Sequence, residues 1–220
     1  MEKTEMKFPH QGKSLTAAYP FFGPANSRTL QNDIKRGGYL EPTFPELTSF
    51  IHHYYFKGAP SHDGKFDEIL KTKYFVGFTG VLYMPGKNEV CFFDHPSLDR
   101  ASVVDYDYLE TQQRLHENFN TVNLDGVETG SVPWNRIACN PLFRAVGGGE
   151  EGAEKLAELA SRHSDKSGYI FVPKTSNFTS PQARIILLYS YGGGKSLTVT
   201  LNGPGSSRNS YSVGLLKAIS

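Results

Sequence analysis

Three segments of this 220-residue chain gather residue types that bind metal ions or activate water. His52 sits beside His53 in a stretch of helical spacing, His62 and Asp63 follow in a loop, and Asp94 precedes His95 after an extended run. Neutral imidazole offers a lone pair, and a carboxylate either ligates an ion or orients a ligating ring. His52, His62, Asp63, Asp94 and His95 are therefore the candidate ligands of a metal-assisted hydrolase. Their spacing matches no recognised ligand pattern. Adjacent helical positions also point about 100° apart, which sets His52 and His53 against sharing one ion. Surface or helix-end histidines with local hydrogen bonds would give the same sequence.

A second set suits anions. Gly192–Lys195 and Asn202–Ser210 are rich in glycine and hydroxyls, and glycine-rich turns present backbone amides to an anion. Lys195, Ser206, Ser207 and Arg208 are the candidate contacts. These turns lie in residues 166–220, which hold six Lys or Arg and no acid, whereas residues 89–128 hold nine acids against two bases. The formal net charge of +1 thus conceals a −7 segment and a +6 segment, with the rest of the chain contributing +2. Either the basic segment faces a ligand, or the two pack together as surface pairs that are individually worth little.

Other motifs fail on context. Gly147–Gly152 matches G-x-G-x-x-G, but Asn140-Pro141 before it starts a helix, where a dinucleotide site needs a strand. Glu150 and Glu151 would also face a pyrophosphate, so a glycine-rich joint between two helices is the better reading. Gly192-Gly193-Gly194-Lys195-Ser196 lacks the first P-loop glycine and runs into an alternating strand, so it reads as a hairpin turn. Gly130-Ser131 lacks the flanks of a nucleophile elbow. Cys91 and Cys139 lie in apolar contexts that suggest buried free thiols rather than a disulfide or zinc site. No cofactor is implied.

Composition narrows the classes further. Charge near balance argues against a dedicated nucleic-acid binder, and 38% apolar residues argue against disorder. The longest apolar run, Ile185–Tyr189, is far short of the roughly 20 residues a membrane span needs. Residues 1–20 hold no apolar core of a secretory signal. The expectation is a cytoplasmic protein with no membrane and no nucleic-acid partner, and with a homo-oligomer open.

The elements that must position these residues follow from spacing. Residues 1–26 read as a loosely structured arm anchored by Tyr19–Phe22, and residues 27–220 as one domain. Helices are predicted over 27–36 with Ser27 as N-cap, from Pro45 to Gly58, over 65–72, over 106–118, as two short pieces near 134–146, and over 150–162. A hairpin is predicted from Tyr74–Met84 and Glu89–Phe93, a strand near 121–124, and four strands at 169–172, 183–191, 196–201 and 211–216. Runs of helices and runs of strands, rather than strict alternation, imply an α+β fold: a mostly antiparallel sheet with helices segregated to one side.

The segment from Gly77-Phe78-Thr79-Gly80-Val81-Leu82-Tyr83 to Asp94-His95-Pro96 resembles stretches of archaeal and bacterial proteins. That resemblance implies a prokaryotic chain and no particular activity. The leading expectation is a binding module for a small anionic molecule or an acidic partner through the 192–210 loops. The alternatives are the metal-assisted hydrolase and a structural domain whose aromatics line an oligomer interface.

Overall fold

Alternating apolar residues place ten strands in one sheet in the computed structural model, which describes residues 4–57, 65–94, 120–203 and 208–216. The strands are β1 (Thr4–His10), β2 (Lys13–Ala25), β3 (Tyr74–Tyr83), β4 (Glu89–Asp94), β5 (Asn120–Asn123), β6 (Gly130–Pro133), β7 (Ser167–Phe171), β8 (Gln182–Tyr191), β9 (Ser196–Gly203) and β10 (Ser210–Leu215). Their order is β1-β2-β10-β3-β8-β9-β7-β6, with β4 on β3 and β5 on β4. All pairs are antiparallel except β10–β3 and β7–β9.

The helices are α1 (Ser27–Arg36), α2 (Phe44–Lys57), α3 (Lys65–Thr72), α4 (Trp134–Ile137), α5 (Pro141–Gly147) and α6 (Glu150–Ser161). Successive strand residues face opposite ways. Phe75, Val81, Ile186 and Leu188 therefore share a core with Phe50 and Tyr54 of α2, Phe66 of α3, Phe143 of α5 and Leu156 of α6. Val76, Phe78, Ile185 and Leu187 face the other way, onto Leu30 and Ile34 of α1. The fold is α+β as expected, with α1 the helix that covers the second face.

β3 divides one of its edges. Tyr74 and Phe75 pair with β10, and Thr79–Tyr83 pair with β4. Between them, the Phe78 amide donates to the Pro42 carbonyl, and the Phe44 amide donates to Thr79 Oγ1 at 2.8 Å. A Cβ on Gly77 would lie 2.3 Å from Phe44 Cα, so the start of α2 reaches the sheet only over a glycine.

Three differences from the sequence reading have clear causes. Residues 4–25 form the hairpin β1–β2 rather than a loose arm. Phe8 and Phe21 are buried, and Phe21 packs on Phe50 and Phe75 with ring centroids 6.1 and 5.1 Å apart. Its turn is Gln11-Gly12, both at positive φ, the twist a two-residue hairpin requires. A side-chain cluster also ties this hairpin to the helices: Ser49 Oγ lies 2.9 Å from His10 Nδ1 and accepts from Lys155 Nζ at 2.9 Å. Next, Asn26 rather than Ser27 caps α1, accepting from the Thr29 amide at 2.8 Å. Finally, β6 was not anticipated, because its four residues are too few to show a period.

The predicted helix over 106–118 lies outside the described residues. No described helix is long and apolar enough to cross a membrane.

Candidate functional site

The loop after α6 organises two adjoining clefts. Arg162 ends the helix, and its amide donates to the carbonyls of Ala160 and Leu159. Ser164 and Asp165 then donate to the carbonyls of Gly194 and Lys195, docking the β8–β9 turn onto this loop. That turn runs through Gly192, Gly193 and Gly194 at φ 63°, 70° and 117°, and Lys195 closes it by donating to Tyr191. Only glycine adopts three successive positive φ values at low cost. On the other side, the Trp134 amide donates to the Lys166 carbonyl and fixes the start of α4.

The inner cleft is about 340 Å³, within the range of small-molecule sites. Tyr55 and Leu70 form its apolar wall, Asp67, Lys71 and Arg162 bring charge, and Ser164, Ser190, Gly193 and Gly194 bring polar groups. Lys71 and Arg162 have no ion pair with a carboxylate among the described residues. Ser190 is 4% exposed, and its hydroxyl has no partner among the described residues. A buried hydroxyl left unpaired costs about 1–3 kcal/mol, so it marks a place where a ligand atom or water restores the bond.

Tyr55 and Phe56 are consecutive at the end of α2 and line different clefts. The outer cleft, of about 520 Å³, is bounded by Phe56, Trp134, Glu158, Ser161, Arg162 and Lys166. The Arg162 guanidinium lies 4.9 Å from the Phe56 ring centroid, a cation–π contact that holds the side chain between the clefts.

His163, on the inner cleft, must carry its proton on Nδ1, because that atom faces the Leu159 carbonyl at 3.0 Å. Burial pushes its pKa below 6.5, the carbonyl bond opposes this, and Lys71 lowers it further. His10 is lowered too, chiefly by burial, with Glu46 and Glu151 opposing and Lys155 and Lys13 assisting. Both rings therefore bind protons less readily in the fold than in the unfolded chain. The stability they contribute is complete above the unfolded value of 6.5 and is lost as pH falls through the lower folded values. The expected result is a melting temperature that is steady above about pH 7 and declines below about 6.5. The decline should be shallower in the His10→Gln/His163→Gln variant, and equal slopes in the two proteins would contradict the assignment.

The sequence-predicted residues separate. Lys195 is exposed on the turn beside the inner cleft, and Arg208 is exposed two residues before β10. Ser210 pairs with Tyr74, whose ring lies 5.1 Å from that of Tyr189, so β10 starts at the same end of the sheet as the β8–β9 turn, with β3 and β8 between the two cations. Ser206 and Ser207 lie outside the described residues. Among the hydrolase candidates, His52 Nε2 meets Glu158 Oε2 at 2.6 Å, with its ring 4.7 Å from Phe56. Asp94 ends β4, paired through the backbone with Thr79, while His62, Asp63 and His95 lie outside the described residues. Among the described residues, no group of three His, Cys, Asp or Glu is placed to hold an ion.

Cys91 is buried, and burial raises its thiol pKa. Cys139 is exposed, against expectation, because the turn between α4 and α5 carries it outward.

Sequence reasoning missed Lys71, Trp134, Arg162, His163 and Ser190. Each stands at an element end or mid-strand with no motif around it. The one available signal was the glycine turn at 192–194, which does border the inner cleft.

No family model and no curated protein matches the chain. A solved structure is similar to it, described as "Accommodation of massive sequence variation in Nanoarchaeota by the C-type lectin fold". The likeness covers 98% of this chain and 98% of that one, with a TM-score of 0.61 and 15% sequence identity. At that identity it shows the fold: the sheet and helices described above are arranged as in a C-type lectin fold.

Proposed function

We propose that this chain is a binding module that takes a small anionic molecule in the inner cleft. The observation that carries the reading is Ser190, a buried, unpartnered hydroxyl lining the same cleft as Lys71 and Arg162. Charge-assisted hydrogen bonds from cationic side chains are roughly twice as strong as neutral ones, and the cleft supplies two such donors beside the Ser190 hydroxyl, the Ser164 hydroxyl already donating to Asp165 Oδ1 at 3.3 Å. Gly193 and Gly194 donate no hydrogen bond among the described residues, so their amides add neutral donors on the same wall. Asp67 disfavours a bare anion and favours one that also carries a hydroxyl or amine to donate to it.

The similar structure is described as accommodating massive sequence variation, which fits a packed scaffold whose cleft side chains vary independently of it. Of the four anion candidates read from the sequence, Lys195 keeps a place in this proposal, at the rim.

The test is a thermal-shift screen of phosphorylated and carboxylated metabolites. At least one should stabilise the wild-type protein. Lys71→Ala should remove about 1.5–3 kcal/mol of binding, tenfold or more, while leaving the unliganded melting temperature in place. Lys195→Ala should cost less. A broad screen with no stabilising anion would end the proposal.

A further inference from the structure

We infer that the ligand is a mononucleotide, or an aryl phosphate of the same shape, whose phosphate sits in the inner cleft and whose ring stacks on Trp134 in the outer one. The inference rests on the anion reading above and adds the second half of the molecule.

Its basis is that the two clefts share Arg162 and are otherwise unlike. The inner one offers cations, the Ser190 hydroxyl and free amides. The outer one offers an aromatic surface, Trp134, in the same lining as the cations Arg162 and Lys166. Trp134 is 42% exposed although its backbone is pinned to Lys166, and its indole makes no ring contact among the described residues. Phe56, by contrast, is already engaged by Arg162 and His52. An exposed indole on an anchored backbone, in a cleft that also holds cations, is an arrangement on which nucleobases stack, and such stacking is tolerant of base identity.

The outer cleft also supplies polar recognition. Glu158 Oε2 is engaged by His52, yet the side chain is 59% exposed and keeps lone pairs free for an exocyclic amine. The Ser161 hydroxyl is committed to the Glu158 carbonyl at 2.7 Å as a donor and retains acceptor capacity for a sugar hydroxyl. A ligand with phosphate, sugar and amino-bearing ring satisfies both clefts at once, whereas a simple oxyanion satisfies the inner cleft alone.

Trp134 is the single tryptophan of the chain, so its emission reports the outer cleft directly. The experiment titrates the full chain with AMP and with ribose 5-phosphate, following tryptophan emission and heat of binding together. AMP should quench the emission and bind about tenfold more tightly than ribose 5-phosphate, which should bind without quenching. Trp134→Ala should bring AMP down to the affinity of ribose 5-phosphate and leave the latter unchanged, which also shows that the variant is folded. Trp134→Phe should restore most of the difference. Equal affinities with no quenching would overturn the nucleotide inference and leave the anion reading standing. Failure of both ligands and of inorganic phosphate to bind would remove both.

Discussion

Gly152→Ala is expected to destabilise the protein by about 3 kcal/mol, the upper range for overpacking a close contact. Helix propensity alone predicts the opposite sign, a gain of about 1 kcal/mol for replacing an interior helical glycine with alanine. Packing decides between them. A Cβ on Gly152 would lie 1.9 Å from the Gly147 carbonyl oxygen and 2.6 Å from its carbonyl carbon. Both are backbone atoms, so no rotamer change relieves the clash; α5 must move off α6. The reciprocal contact is as tight, a Cβ on Gly147 falling 2.6 Å from the Gly152 carbonyl carbon. Urea denaturation read by circular dichroism measures the loss, with Glu154→Ala on the exposed side of the same helix as the control. The control should stay within about 0.5 kcal/mol of wild type. A Gly152→Ala protein as stable as wild type would mean that the two helices do not cross this closely.

The same glycines show what the sequence could disclose. Gly147–Gly152 was legible as a helix joint because the context ruled out a dinucleotide loop, and Gly148 and Gly149 do adopt the positive φ that such a joint needs. The α+β class, α2, α3, the β3–β4 hairpin and the four late strands were legible from their periods, which packing then reinforced. The β1–β2 hairpin was not. Its turn carries Gln11 where Asn or Asp would have signalled a two-residue hairpin, and its outward residues hide the buried Phe8 and Phe21.

The clefts were harder still. Their residues come from α2, α3, α4, α6 and the loop after it, β8 and the β8–β9 turn, and only tertiary docking makes Lys71 a neighbour of Ser190. Single-sequence patterns report neighbours along one element, as with Gly192–Lys195, and say nothing of partners a hundred residues away. The charge map shows the same limit. It drew attention to the basic C-terminal segment, yet Arg184 there is spent on Asn202, Gln182 and the Ala183 carbonyl. The cations that line the inner cleft, Lys71 and Arg162, lie outside that segment.

Arg162→Lys is expected to weaken anion binding almost as much as Arg162→Ala, by about tenfold or more, although it preserves the charge. The reason is geometric. The guanidinium lies over Phe56 with its centre 4.9 Å from the ring centroid, and that stacking holds a planar fork of donors between the two clefts. A lysine ammonium is a compact, strongly hydrated point charge that gains less from the ring face and loses the bidentate geometry. Were the site only a region of positive potential, lysine would substitute freely, and the loss in either variant would shrink as salt screened it. Calorimetric titration with an anion from the screen, at low and at physiological ionic strength, separates the two. Near-equal losses for lysine and alanine, maintained as salt rises, identify Arg162 as an oriented donor. Wild-type affinity in Arg162→Lys would reduce the cleft to a charged surface and deprive the two pockets of their common residue.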